Sequence, residues 1–277
     1  MKIKTFSYDQ LDTYIHKLSG LSKLVCFLLL TTSIMLTYDI RYIIGVLVLS
    51  YIMFIIAKIQ FKHIKMMLYY VFAFLLFNFL LTYLFEPEYG VRIYGTRHIL
   101  FEIAGRYTVT AEQLFYQITK LLKYLSVIPL GIIFILTTNP SEFASSLNGI
   151  GIPYKICTSL SLTLRYFPDV VDDYNTISLA QQARGLEMSK KAKLTDRIKR
   201  VSGILIPLLM TTMDRIEIIS NGMDLRGFGK HPKRTWYSKK PLEARDYLAM
   251  LICLLLLGIS LYLRFKVNHS IYYNPFV

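Results

Sequence analysis

Charge is scarce in this chain: only 18% of its 277 residues are Asp, Glu, Lys or Arg, against a hydrophobic share of 54%. That balance excludes an ordinary soluble domain, in which about a quarter of residues are charged. Cysteine is scarce as well. Cys26, Cys157 and Cys253 stand singly in apolar stretches, so they offer neither a disulfide framework nor metal-ligand spacing, and each reads as a small buried hydrophobe. His63, His98 and His231 are isolated from any Cys/His cluster. No Gly-rich P-loop pattern occurs, which excludes ATP hydrolysis by this chain itself. No catalytic or metal-binding residue is assigned, and no cofactor is expected.

What the chain has in their place is long uncharged runs: Leu24 to Tyr38, Tyr42 to Ala57, Met66 to Phe85, Tyr124 to Ser141 and Tyr247 to Leu263. Each approaches the roughly 17 to 25 apolar residues that cross a bilayer core about 30 Å thick. The first two are slightly short and recruit flanking residues or snorkelling lysines such as Lys23 and Lys58. The expected fold is therefore an all-α membrane protein with about five transmembrane helices. The N-terminus, with Lys2, Asp9, Asp12 and Lys17, is polar and has no small-residue cleavage site, so the first span is read as retained rather than as a signal peptide.

The net charge of +14 is unevenly placed. Lys58, Lys62, His63 and Lys65 make one connection basic, and the stretch from Lys155 to Arg245 is basic throughout, whereas Glu86 to Gln117 holds four acids against three arginines. Lys and Arg collect on the cytoplasmic side. The N-terminus and the long basic segment are accordingly expected inside, and the 86–117 connection and the C-terminal tail outside. Arg264 and Lys266 in that tail run against the scheme. Three regions follow: 1–138 with four spans, 139–245 in the cytoplasm, and 246–277 with the final span and tail. Within 86–117, Ile99 to Ile103 and Tyr107 to Thr110 have the β-branched and aromatic character of a small hairpin, with Ala104-Gly105 between them. Thr110 and Gln113 form a capping-box pattern ahead of the fourth span, and Pro129 within it favours a kink.

The cytoplasmic segment opens on "TTNPSEF", where Asn139 suits an N-cap, Pro140 the first helical position and Glu142 the third. "NGIGIP" (Asn148 to Pro153) closes that helix after about two turns. Two long amphipathic helices follow. Leu160, Leu164, Phe167, Val171, Tyr174 and Ile177 form the apolar face of one, and Leu209, Met213, Ile216, Ile219 and Met223 that of the other. Charges interrupt both, so neither crosses the membrane; such helices lie along its surface or pack beneath it. Offset by 42 positions, Ile177 aligns with Ile219, Ser178 with Ser220 and Arg184 with Arg226. Each helix ends in Arg-Gly, first as Ala183-Arg184-Gly185 and then as Leu225-Arg226-Gly227. Glycine supplies the left-handed stop, and an arginine in the last turn is favoured by the helix dipole by about 0.3 to 1 kcal/mol. Two rods tipped by guanidinium forks point to two partner subunits.

The stretches "LTTNPSEF", "LRYFP" (Leu164 to Pro168), "AQQARG" (Ala180 to Gly185) and "MDLRGFG" (Met223 to Gly229) resemble the transmembrane T subunit of energy-coupling factor transporters, the family that includes CbiQ-type cobalt permease subunits. Leu225 departs from the alanine usual there. The resemblance implies a non-catalytic coupling subunit of the bacterial cell membrane, whose Arg184 and Arg226 tips dock on two ABC-type ATPases. ATP-driven closure would reorient a substrate-binding S subunit that carries a vitamin or metal ion.

Two rival readings come from the residues. "PDVVDD", with Asp169, Asp172 and Asp173, has the Mg²⁺-diphosphate chemistry of a membrane prenyltransferase, but its only possible facing cluster, Asp214 with Glu217, is interleaved with Arg215. A permease binding its own substrate would bury ionisable groups within its spans, and the five runs hold none; Asn78 is their one conspicuous amide. The basic run from Lys190 to Arg200 reads as attraction to anionic membrane lipid rather than nucleic acid.

Overall fold

The structure, a computed structural model, describes residues 13–59, 61–104, 107–185, 194–231, 235–237 and 239–276. The sequence features at Lys2, Asp9, Asp12, Gly105 and the lysines at 190, 191 and 193 lie outside the described residues. The chain divides into two compact units, one formed by 1–142 with 239–277 and the other by 143–238.

The first unit contains α1 (Tyr14–Lys17), α2 (Gly20–Met35), α3 (Ile40–Ile56), α4 (Phe61–Phe85) and α5 (Tyr89–Tyr94), then β1 (Ile99–Ala104), β2 (Tyr107–Thr110) and α6 (Ala111–Thr137). The helix α7 (Pro140–Gly149) begins at its edge, and after the second unit the chain returns as α10 (Ala244–Tyr262) with a π-helical turn, Leu263–Val267. The second unit holds α8 (Tyr154–Ala183) and α9 (Leu194–Leu225).

Among the described residues, three stretches are long and apolar enough to cross a membrane: Leu68–Phe85 of α4, all of α6, and Ala244–Val267. The shorter apolar helices α2 and α3 have 16 and 17 residues; at 1.5 Å per residue each covers about 25 Å, a little under the hydrocarbon thickness. The five apolar runs thus all become helices. The hairpin forms where expected, with β1 and β2 antiparallel and irregular in register.

The fourth span differs from its sequence expectation. It begins at Ala111 rather than near Tyr124, so Glu112, Lys120 and Lys123 belong to α6. Thr110 caps it as expected, accepting from the Gln113 N–H. The Gln113 side chain does not complete a capping box: its Oε1 accepts from the Gly90 N–H at 2.7 Å and its Nε2 donates to the Glu86 carbonyl. It ties α5 to α6. Close approach makes that possible, because a Cβ on Gly90 would lie 2.6 Å from the Gln113 backbone.

The core packs α3 on α6, α2 on α10 and α2 on α6. One apolar cluster gathers Ile15, Phe54, Ala57, Ile132 and Ile133, and another Leu30, Ile34, Tyr42, Val46, Leu130 and Cys253. All three cysteines are unbridged, and Cys157 and Cys253 are buried.

Two lysines correct the sequence reading. Lys23 does not snorkel to water: it is 6% exposed, and its Nζ donates to the carbonyls of Thr137 at 2.8 Å and His16 at 3.3 Å. Lys123, 3% exposed, donates to the Met35 carbonyl at 3.0 Å and lies 3.6 Å from the centre of the Tyr38 ring. The start of α2 therefore closes the end of α6, and α6 in turn closes the end of α2. A helix C-terminus carries unpaired carbonyls and the negative end of its dipole, which is where a buried ammonium finds compensation.

The C-terminal tail straps the opposite ends of these helices. The Tyr38 N–H donates to the Ile271 carbonyl at 2.8 Å, and Asn274 to the Tyr94 carbonyl. Phe276 packs against Tyr94, His98 and Phe115. Arg264, which ran against the charge rule, donates to the Leu36 carbonyl just past α2. Between α2 and α3, fully buried Asp39 caps α3 and accepts from Arg41 and Asn268. Burial alone would raise its pKa, but those hydrogen bonds outweigh it and hold the carboxyl below the usual range.

Gly90→Ala is expected to force α5 away from α6 and destabilise the fold by about 1–3 kcal/mol. Gly45→Ala, with nothing within 4 Å of the added carbon, serves as the neutral control, and thermal unfolding in detergent reads both.

Candidate functional site: two helix ends carrying arginine

Both Arg-Gly sequences end helices as their glycines dictate. Arg184 is the C-cap of α8 and Gly185 follows with φ of 87°; the Gly185 N–H donates back to the Gln182 carbonyl at 3.0 Å. After α9 ends at Leu225, Arg226 occupies the cap position and Gly227 has φ of 70°. There the Gly227 N–H reaches the Asp224 carbonyl and the Phe228 N–H the Met223 carbonyl, at 2.9 and 3.0 Å. That pair of bonds is a Schellman closure, which satisfies the last carbonyls within the backbone and leaves the arginine side chain unneeded as a cap. Ala183, Arg184, Gly185, Leu225 and Arg226 are exposed and Gly227 is half-buried. Leu225 is 89% exposed, an unusual position for a large aliphatic side chain.

The two helices pack on each other. At one place the contact is polar: the Arg215 guanidinium donates to Asp173 at 2.7 Å and lies 3.9 Å from Asp169. At another, the Tyr154 ring at the start of α8 meets the Phe228 ring just past α9, with centres 5.6 Å apart. The helices therefore run in opposite senses, and their two arginine tips lie toward opposite ends of the pair. Asp173 to Arg184 and Arg215 to Arg226 are the same interval of eleven residues, about 16 Å of helix each, which sets the tips on the order of 30 Å apart. A contact between residues related by the 42-residue offset sits at the centre of the pseudo-symmetry. Sequence reading noted that offset in apolar and tip residues but missed Asp173 and Arg215, which the same offset also relates.

The apolar faces expected on these helices are present and uncovered: Leu164, Phe167 and Val171 on α8, and Leu209, Met213 and Ile216 on α9, are exposed. Uncovered apolar surface of this extent marks a binding surface.

The structure also bears on the rival sites. Asp169 and Asp173 are turned to Arg215, which neutralises the cluster from which a diphosphate-Mg²⁺ site would be built. Among the described residues no group of three or more His, Cys, Asp or Glu is placed to hold a metal. Contrary to expectation, ionisable groups do occur within a span, but Lys123 bonds this chain's own carbonyl and Lys120 donates to the Thr82 hydroxyl. The space between α4 and α6 lined by Asn78, Thr82, Gln117 and Lys120 measures about 10 Å³, room for no more than about one water. A larger cavity of about 240 Å³, bounded by Tyr51, Phe54, Val71, Phe72 and Pro129 among others, has a predominantly apolar lining, without the convergent polar groups by which a site orients a polar ligand.

Residues 12–237 match the CbiQ family, described as cobalt transport protein. Three similar proteins bear the name energy-coupling factor transporter transmembrane protein EcfT. The one from Exiguobacterium sibiricum is 25% identical over 91% of this chain and 95% of its own length. The one from Macrococcus caseolyticus is 26% identical over 92% and 95%, and that from Lactococcus lactis subsp. cremoris 26% over 93% and 96%. The chain belongs to the CbiQ family of membrane transport components, and the three named relatives each align with 91–93% of its length.

Gly185→Val and Gly227→Val place a β-branched residue at positive φ and are expected to cost about 1–2 kcal/mol each, read as faster amide exchange in the last turn of α8 or α9. Gly222→Ala, inside α9 with open space around the added carbon, is expected to slow exchange or leave it unchanged.

Proposed function

We propose that this chain is the non-catalytic coupling subunit of an energy-coupling factor importer, and that Arg184 and Arg226 each dock on one of two ABC-type ATPase subunits. The observation that carries the reading is the pair of glycine-closed, arginine-tipped helix ends on arms of equal length to either side of the Arg215–Asp173 contact. A pair of related ATPases presents two related grooves a fixed distance apart, and a rigid antiparallel pair of helices meets that requirement.

The guanidinium at each tip suits an acidic groove, since its rigid fork pairs bidentately with carboxylates. When ATP draws the ATPases together, the tips are held by two bodies whose separation changes, and α8 and α9 must shift relative to each other. The exposed apolar faces supply a surface on which a membrane-embedded S subunit slides or tilts, releasing its vitamin or metal ion inward. Differential contact of this kind is what lets ATP bias a conformational equilibrium. The N-terminus and the 143–238 unit lie on the cytoplasmic side in this reading, as the placement of Lys and Arg along the chain favours. Membrane lipids are the remaining partner, and no nucleic acid is involved.

Arg184→Glu and Arg226→Glu are each expected to reduce uptake by the reconstituted transporter, and the double variant to lose co-purification with the ATPases. Normal uptake by the double variant contradicts the docking role. Asp169→Ala and Asp172→Ala should leave the complex assembled; loss of a prenylated product in those variants would instead favour the enzyme reading.

A further inference from the structure

The second unit is an insertion: the chain leaves the first unit after Glu142 and re-enters it at Lys239. Both crossings carry charge at the boundary itself. Glu142 sits in the first turn of α7, so the outgoing crossing falls inside a helix, whereas the described residues of the returning stretch before α10 have no helix or strand. One crossing is helical, and the described residues at the other are not.

The two are joined. The Lys240 Nζ meets the Glu142 Oε1 at 2.6 Å, with the Glu142 side chain 7% exposed, and it also donates to the His16 carbonyl at 3.3 Å. That carbonyl, in α1, is shared with Lys23, whose second bond is to Thr137 at the end of α6. Close by, Asp246 in the first turn of α10 accepts from the Ser19 N–H at 2.9 Å and the Ser22 hydroxyl at 2.5 Å, which fixes the start of α10 to the start of α2. Glu142, Lys240 and Asp246 all lie near enough to act on the charge of Lys23. Two cations and two acids thus bind α1, α2, α6, α7 and α10 at one place. The Lys240 side chain is 39% exposed, but its partner Glu142 is buried and its ammonium is held by a carbonyl as well, so the pair holds its geometry better than one with both charges at the surface, which contributes little.

We propose that the Glu142–Lys240 pair is a staple that closes the two ends of the insertion onto each other, making both residues positioning residues for coupling. The proposal rests on the reading of the 143–238 unit as the part moved by ATPases. Displacement of an insertion reaches the rest of the chain through its ends. With the staple intact, the returning crossing is fixed to the first turn of α7 and both ends pull together on α1, α6 and α10. With it broken, the returning stretch takes up the displacement and the load passes through α7 alone. ATP is then hydrolysed without a matching movement of the membrane helices.

The test uses the complete transporter in lipid vesicles, measuring ATP hydrolysis, substrate uptake and ATPase co-purification together. Glu142→Gln and Lys240→Met are each expected to keep the ATPases bound and hydrolysis near normal while uptake per ATP falls about tenfold, within the usual range of coupling between sites. The exchange Glu142→Lys with Lys240→Glu is expected to restore most of that ratio, which a general loss of stability would not do. An unchanged ratio in the single variants, failure of the exchange to improve on them, or loss of ATPase binding in the single variants overturns the staple. Arg184→Glu with Arg226→Glu, assayed alongside, separates the two ideas. If that variant transports normally, the docking reading fails whatever the staple variants do.

Discussion

A helix that ends within protein or lipid leaves its last carbonyls without intrahelical partners, and no water is at hand to take them. Much of the first unit is arranged around that constraint. Lys23 serves the end of α6, Lys123 the end of α2, and Arg264 the residue after α2, while His16 in α1 receives both Lys23 and Lys240. Each cation gains a partner at the negative end of a helix, and each helix gains a donor. Because the donors come from elements distant in sequence, the same bonds that satisfy the backbone also fix the order of packing.

The second unit solves the same problem differently, and the difference leaves the two arginine tips exposed. At the end of α9 the backbone closes on itself through Gly227, and at the end of α8 through Gly185. No cation from elsewhere is needed there, and the arginine at each cap is exposed. A Schellman closure fixes the direction in which the following chain departs, so the guanidinium is carried on a stem of defined geometry rather than on a fraying end. Docking surfaces gain from such preorganisation because less entropy is lost on binding.

Much of this was legible in the sequence. Apolar runs announced the five membrane-associated helices, β-branched and aromatic residues announced the hairpin, and Arg-Gly endings announced where α8 and α9 stop. Resemblance to the T subunit was carried by the residues around those endings, and the family match covers them. The rest depends on partners far apart in the chain. Lys23 looked like a flanking charge, and Lys120 and Lys123 drew no reading at all, since a single sequence does not reveal which oxygen a lysine will reach. Gln113 had the spacing of a capping box, yet Gly90 offered its N–H at close range and won the side chain. Asp169 and Asp173 formed a plausible metal cluster until folding set Arg215 against them. In each case the local pattern was correct and a long-range polar contact decided its use.

The central claim is that Arg184 and Arg226 are presented to two different motor subunits. Photo-crosslinking tests it most directly, with a photoreactive amino acid placed at position 184 or 226 of the assembled transporter and the products identified by mass. The account predicts that each position labels an ATPase subunit and that a doubly substituted chain joins two ATPase protomers at once. Labelling confined to this chain or to lipid at both positions contradicts it.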